Sequence, residues 1–354
     1  MRNFINGLCL LLVMVLLQNC TSSKIVRFSE GTLMKENLWS LIPMTESSFC
    51  SDSSSYFIFS RKAPTSNLII HFSGGGACWD KETCTEPLSL WSAIKMGLIT
   101  HRLENYYIPS LSERIPWILG GIFSSEVENP FYDWNVVFIP YCSADLHLGK
   151  SSTSVLDKKG NVQTVHFNGQ ENVKQALDWV YQHFPNPEKV LVSGESAGGF
   201  GAMFYSKTIG QHYTQSKLYQ LTDCAYVDAD RWTDLAALWK INLAAEQLSR
   251  DNLVEASYFL PASQEITYLQ INSLYDETLT QFEAKLDKTP MDSQDYIDDW
   301  ATNLKKSIQF LAQSDLDFRY FVTDYKHNTK RHQTPHTFLN SKKAFLVAKK
   351  MVWS

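Results

Sequence analysis

Ser196 sits in Gly194-Glu195-Ser196-Ala197-Gly198, between the apolar run Val190-Leu191-Val192-Ser193 and Gly199-Phe200-Gly201-Ala202-Met203, which reads as the start of a helix. A serine in G-x-S-x-G at a tight strand-to-helix turn is a nucleophile elbow. The glycines allow a sharp turn and close backbone approach, and the hydroxyl stands out from the sheet edge above a helix N-terminus. A serine hydroxyl is a weak nucleophile at neutral pH. It needs a base, and the base needs an orienting acid. Where this elbow is used, the three follow in the order serine, acid, histidine.

Asp276 is the leading acid, after the apolar stretch Ile266–Asn272 and Ser273-Leu274-Tyr275 and before a helical stretch. A helix N-cap is the alternative role for an aspartate so placed. Asp228 and Asp230, at the end of an earlier apolar stretch, are the other candidates. Three histidines follow: His327, His332 and His336. His336 opens His-Thr-Phe-Leu just ahead of a C-terminal helical pattern and is the leading base, with His332 second. His327 and His332 lie in a run rich in Lys, Asn and Arg that reads as a solvated loop. The oxyanion that forms during attack needs backbone N–H donors. Ala197, directly after the serine, is one, and Gly75 or Gly76 in the turn Ser73-Gly74-Gly75-Gly76-Ala77 is the other. A phosphate-binding reading of these glycines fails, because no G-K-[ST] follows and Trp79 occupies the place of the last glycine in G-x-G-x-x-G. The cysteines and histidines include no C-x-x-C pair and no H-E-x-x-H, so no metal site is expected.

The elements that must position these groups read as alternating strands and helices. Strand patterns cover 55–59, 67–72, 135–141, 189–193, 225–228, 266–272 and 318–322. Helical patterns cover 169–184, the stretch from the elbow to Ile209-Gly210 with Gly210 as C-cap, the regions near 233–249 and 294–312, and a terminal 342–351. This predicts an α/β protein with a mostly parallel sheet and helices on both faces. Residues 95–129 have no strong period and are expected to form excursions above the sheet that shape the cleft.

The N-terminus has Met1-Arg2-Asn3 followed by an apolar run from Leu8 to Leu17, too short for a membrane span and fitting a signal peptide over residues 1–20. Cys20 is a candidate for lipidation and membrane attachment, against simple cleavage and secretion. Residues 21–354 contain no repeat or Pro/Gly linker and read as one domain. Five cysteines remain beyond Cys9 and Cys20, and in an oxidising compartment some should pair. Cys78 and Cys84 can close a small loop, Cys50 and Cys142 can join two strand regions, and Cys224 is left as a buried free thiol. A net charge of −5 gives no reason to expect nucleic acid as a partner. The aromatic content of 13% fits a packed core better than an aromatic-lined cleft.

Several segments together resemble the pectin acetylesterase/Notum family of serine carboxylesterases. They are Gly74-Gly75-Gly76-Ala77-Cys78-Trp79 with Cys84, Asn129-Pro130-Phe131 leading to Tyr141-Cys142-Ser143-Ala144-Asp145-Leu146-His147-Leu148-Gly149, Gly194 to Gly199, Tyr275-Asp276, and His336-Thr337-Phe338-Leu339. Ala77 stands where plant and animal members have a bulkier residue, and the chain looks closer to bacterial members. The resemblance implies an α/β-hydrolase-like fold and a Ser196, Asp276, His336 triad working without metal or organic cofactor. It also implies removal of an acyl group, acetate from a polysaccharide or a fatty acyl group from a protein. Asp145 and His147 fall in a family motif near the cleft, with substrate contact and a polar turn as their two readings. A non-catalytic surface protein that binds glycan or host components, or a serine peptidase or amidase, is the rival expectation on the same fold.

Overall fold

The computed structural model describes residues 25–31, 33–85, 87, 107–157, 159–241, 253–291 and 294–340. In chain order its strands are β1 (Val26–Arg27), β2 (Trp39–Pro43), β3 (Phe57–Arg61), β4 (Leu68–Phe72), β5 (Asn135–Ile139), β6 (Ser151–Leu156), β7 (Val162–Phe167), β8 (Lys189–Glu195), β9 (Lys217–Asp223), β10 (Ile266–Ser273) and β11 (Phe318–Thr323). The helices are α1 (Lys81–Cys84), α2 (Gly169–His183), α3 (Ala197–His212), α4 (Trp232–Trp239), α5 (Leu253–Tyr258), α6 (Leu279–Leu286) and α7 (Gln294–Ala312). No helix among the described residues is long and apolar enough to cross a membrane.

Nine strands form one sheet in the order β1-β2-β3-β5-β4-β8-β9-β10-β11. From β5 through β11 every neighbouring pair is parallel, and β3 is antiparallel to both β2 and β5. β4 and β5 are buried along their whole length, as strands covered on both faces must be. The larger apolar cluster packs helical residues such as Val173, Phe200, Leu235, Trp300 and Leu304 against Ile70, Val137 and Val192. The opposite face carries Ile69, Val136 and Leu191. There, two 3₁₀ turns (Ile115–Trp117 and Gly121–Phe123) supply Ile115, Ile122 and Phe123 as cover. The described part of the expected cleft-shaping excursion therefore packs on a sheet face.

After β4 the chain adds β5 on one side, then returns to place β8 on the other. The carboxyl ends of β4 and β8 meet at this reversal, with Phe72 beside Gly194. A crevice outside the strand ends at such a switch point is where open parallel sheets bind ligands. The topology thus puts the glycine turn after β4 next to the serine after β8.

Two sequence expectations are corrected. Residues 225–228 are not a strand; the strand is β9, and Cys224, at φ +51°, turns the chain out of the sheet. The apolar Ala225-Tyr226-Val227 is buried in irregular chain, whereas Lys217–Asp223 carries enough polar residues to hide a strand pattern. α3 also runs past Gly210 to His212. A Cβ at Gly210 would lie 2.7 Å from Leu218 Cδ2, so this glycine serves close helix–sheet packing rather than a cap. β2 and the β6–β7 hairpin had no clear sequence signal. Residues 1–20 with Cys20, 95–106, 242–249 and the terminal 342–351 lie outside the described residues.

Candidate active site

Ser196 directly follows β8 and adopts φ +53° and ψ −126°, a conformation that non-glycine residues avoid and that persists only when the surroundings hold it. A Cβ on Gly194 would come within 2.0 Å of Gly198 O, and one on Gly198 within 2.0 Å of Phe72 O. Both elbow glycines are therefore required by close backbone contact. Ser196 N donates to Asp223 O at 2.8 Å, fixing the elbow to the neighbouring strand end. Ala197 opens α3, so its N–H has no intrahelical acceptor. The turn after β4 passes close by, since a Cβ on Gly74 would lie 3.0 Å from Ser196 Cβ. Gly76 has φ +76° and bridges to Tyr107.

Asp276 and His336 meet. His336 Nδ1 lies 2.8 Å from Asp276 Oδ2. Asp276 Oδ1 accepts from the amides of Thr278 and Leu279, each at 2.9 Å. One carboxylate oxygen thus accepts from the amides that lead into α6, and the other faces the imidazole. A carboxylate opposite Nδ1 demands the proton there, which leaves the lone pair on Nε2. That nitrogen is buried and makes no hydrogen bond among the described residues. Burial lowers the affinity of the ring for a proton, but Asp276, by charge and hydrogen bond, with Asp223 and Glu277, outweighs it and raises His336 above the ordinary histidine value of 6.5.

Asp223 ties the segment just past His336 to the serine elbow. Its main-chain oxygen holds Ser196, while its buried carboxylate Oδ2 accepts from Phe338 N at 2.6 Å and Leu339 N at 2.7 Å, just past His336. Burial pushes its carboxyl up to about 6, against the two amides that stabilise the ion. The remaining candidates lie elsewhere. His332 Nε2 bonds Asp298 Oδ1 at 2.7 Å, and His327 stacks on Tyr275. Asp228 Oδ2 accepts from Tyr226 OH, and Asp230 N is held by Asp287. Cys224 is a free, buried thiol whose Sγ lies within 4.8 Å of ligating atoms of Asp276 and His336. Burial pushes it well above the usual thiol range.

Asp145 and His147 are fully internal rather than exposed on a cleft wall, at 0% and 1% accessibility. The turn between Tyr141 and Gly149 contains three left-handed non-glycine residues, Ala144, Leu146 and His147. Asp145 holds it: Oδ1 accepts from Ser143 Oγ and His147 N, and Oδ2 from Gly149 N and Gly169 N. Burial pushes this carboxyl up to about 7, while all four of these donors favour its ionised form. The turn in turn braces the glycine loop. Cys78 N donates to Ala144 O at 3.0 Å, and His147 Nε2 donates to Ser73 O at 2.9 Å. Burial lowers His147 to about 4, so the ring is neutral with its proton on Nε2. Replacing Asp145 by alanine orphans these donors beneath a strained turn. Asp145→Ala is expected to cost about 3 kcal/mol or more in urea unfolding; a loss under about 1 kcal/mol would show that the turn holds without it.

Cys50–Cys142 and Cys78–Cys84 are disulfides, the second closing a loop directly after the glycine turn. Beside that loop lies a cleft of about 370 Å³ lined by Trp79, Asp80, Lys81, Val155 and Leu238 among others.

A family model described as Pectinacetylesterase matches residues 38–351. The chain belongs to the pectinacetylesterase family. Among relatives, a palmitoleoyl-protein carboxylesterase NOTUM of Schmidtea mediterranea is 32% identical over 165 residues, 44% of this chain and 27% of that protein. Pectin acetylesterase 11 of Arabidopsis thaliana is 26% identical over 140 residues, 39% of this chain and 31% of that protein. The matched stretches thus span less than a third of these relatives' length. The solved Wnt deacylase Notum from Drosophila superposes over 86% of each chain with a TM-score of 0.55 at 19% identity, a likeness of fold. This pectinacetylesterase-family chain also has site-building residues that sequence reasoning missed: Glu195, Asp223 and Asn340. Asp223 was hidden by the misplaced strand, and Asn340 carries no local signal.

Proposed function

We propose that this protein is a serine carboxylesterase, with residues 21–354 as its catalytic domain, that removes a small acyl group, acetyl, from an ester substrate such as a polysaccharide. The observation that carries this is the Asp276–His336 pair with its unbonded Nε2, tied through Asp223 to the strained elbow of Ser196. Ser196 Oγ attacks the ester carbonyl while His336 Nε2 takes its proton. Asp276 keeps the Nδ1 proton in place and stabilises the imidazolium. Ala197 N and the amides of Gly75 and Gly76 receive the oxyanion. The imidazolium gives its proton to the leaving alcohol, and a water activated by the same nitrogen releases the acid from the acyl-enzyme.

Acetyl as the acyl group is supported by the family's description and by the Arabidopsis relative's name. The expected result is turnover of p-nitrophenyl esters falling from acetyl towards palmitoyl, with the matched acetanilide hydrolysed far more slowly. A preference for palmitoyl would overturn the acetyl assignment, and faster amide cleavage would overturn the esterase reading.

The two disulfides suit an oxidising compartment, and with the N-terminal apolar run they support export, either secreted or lipid-anchored at Cys20. Mass spectrometry of the mature N-terminus decides between a free and an acylated Cys20, and an uncleaved Met1 on cytoplasmic protein would refute export.

A further inference from the structure

We propose that Glu195 is a positioning residue that locks the glycine turn and the His336-bearing segment to the serine elbow at once. Glu195 is the last residue of β8 and is 7% exposed. Its carboxylate contacts groups from two separate segments, β4 with its following glycine turn and the stretch beyond His336. Oε1 accepts from Gly74 N at 3.0 Å, at the entry to the turn that holds Gly75 and Gly76. The same oxygen accepts from Asn340 Nδ2 at 2.8 Å, four residues beyond His336. Oε2 lies against His71 Nε2 on β4, and His71 Nδ1 is 2.9 Å from Ser193 Oγ. The His71 ring is completely buried between Phe123 and Phe138.

A carboxylate held in an apolar layer costs several kcal/mol unless its lone pairs are filled. Here Gly74 N and Asn340 Nδ2, which flank two different parts of the proposed machinery, both fill Oε1, so satisfying that oxygen fixes their relative positions. Alternation along β8 explains the placement. Val192 points into the helix-covered cluster and Leu191 to the other face, where Glu195 follows by parity beside His71. Glu195 therefore works from beneath the elbow and makes no contact with reacting atoms. Asp223 secures Phe338 and Leu339 from the next strand, and Glu195 secures Asn340 from the serine's own strand.

This inference rests on the esterase reading and deepens it. A misplacement of about 1 Å in catalytic groups can cost about 100-fold in rate. Glu195→Ala frees Gly74 N and Asn340 together, so kcat per fluorophosphonate-titrated site is expected to fall about 30- to 100-fold with KM within about threefold. Affinity for an oxyanion mimic, a trifluoromethyl ketone, should fall in parallel. Glu195→Gln keeps an Oε1 acceptor for both donors and is expected to restore kcat to within about fivefold of the parent. A Glu195→Ala protein with the parent's kcat per titrated site would overturn the proposal, as would a Gln variant no better than Ala. If Glu195→Ala does not accumulate as folded protein, Asn340→Ala decides: a tenfold fall in kcat supports the clamp and an unchanged kcat overturns it. A parent protein that neither labels nor turns over ester fails the esterase reading itself, whereas an active parent with an equally active alanine variant fails only the role of Glu195.

Discussion

Ser196→Ala is expected to abolish covalent labelling by a fluorophosphonate and to reduce ester turnover by about 10⁴-fold or more. The size follows from what the side chain supplies. Without Oγ no acyl-enzyme forms, and water must attack directly. The donors at Ala197 and the glycine turn remain, so any residual rate reports binding and oxyanion stabilisation alone. The variant should fold normally, because the backbone contacts that shape the elbow involve Gly194, Gly198, Phe72 and the main chain of Asp223 rather than the hydroxyl. Relief of a serine from φ +53° brings no gain, since alanine meets the same steric demand. A folded Ser196→Ala protein that keeps the parent's turnover would remove the nucleophile from the scheme.

Asp276→Asn is the second large effect, a fall in kcat/KM of about 10⁴-fold. An asparagine presenting N–H to Nδ1 forces that nitrogen to accept, which moves the imidazole proton to Nε2 and blocks the base. The variant also makes a directional prediction with pH. Only neutral His336 accepts the serine proton, so kcat/KM of the parent rises with pH through the His336 pKa. Asp276 helps to hold that pKa above 6.5, so the acid limb of the parent should lie above that value. Removing the carboxylate charge takes away a group that stabilises the imidazolium, while burial, which opposes protonation, remains. The residual activity of Asp276→Asn should therefore have its acid limb at lower pH than the parent. A limb that stays in place would mean that another group titrates there, and Glu277, which burial and Asp276 push up to about 7, is the neighbour to test next.

Much of the candidate site was legible in the linear chain because its requirements are local. G-x-S-x-G after an apolar run encodes a strand, a turn and a helix within a few residues. The triple glycine after Phe72 and the order of Asp276 and His336 follow the same logic. Asp145 and His147 were legible as a special turn, but their chemistry was not. Only burial shows the carboxylate serving four donors inside the turn, with the imidazole supporting Ser73. The β9 strand was misplaced because its alternating polar residues gave a weak pattern beside the more apolar Ala225-Tyr226-Val227, which forms loop. The β6–β7 hairpin was missed because Ser151–Leu156 is mostly hydroxylated and half-exposed.

The sequence by itself determined the residue types at the proposed centre, their order and the alternating strands and helices that carry them, since these depend on short-range periodicity and turn chemistry. Only the tertiary structure decided which histidine is the partner of Asp276, and that Asp223, Glu195 and Asn340 tie the separate segments together. Contacts between residues 115 or 145 positions apart, such as Asp223 with Phe338 and Glu195 with Asn340, leave no local pattern. They exist because a sheet that reverses its winding direction beside β4 gathers distant strand ends onto one edge, where buried carboxylates must find donors wherever the chain supplies them.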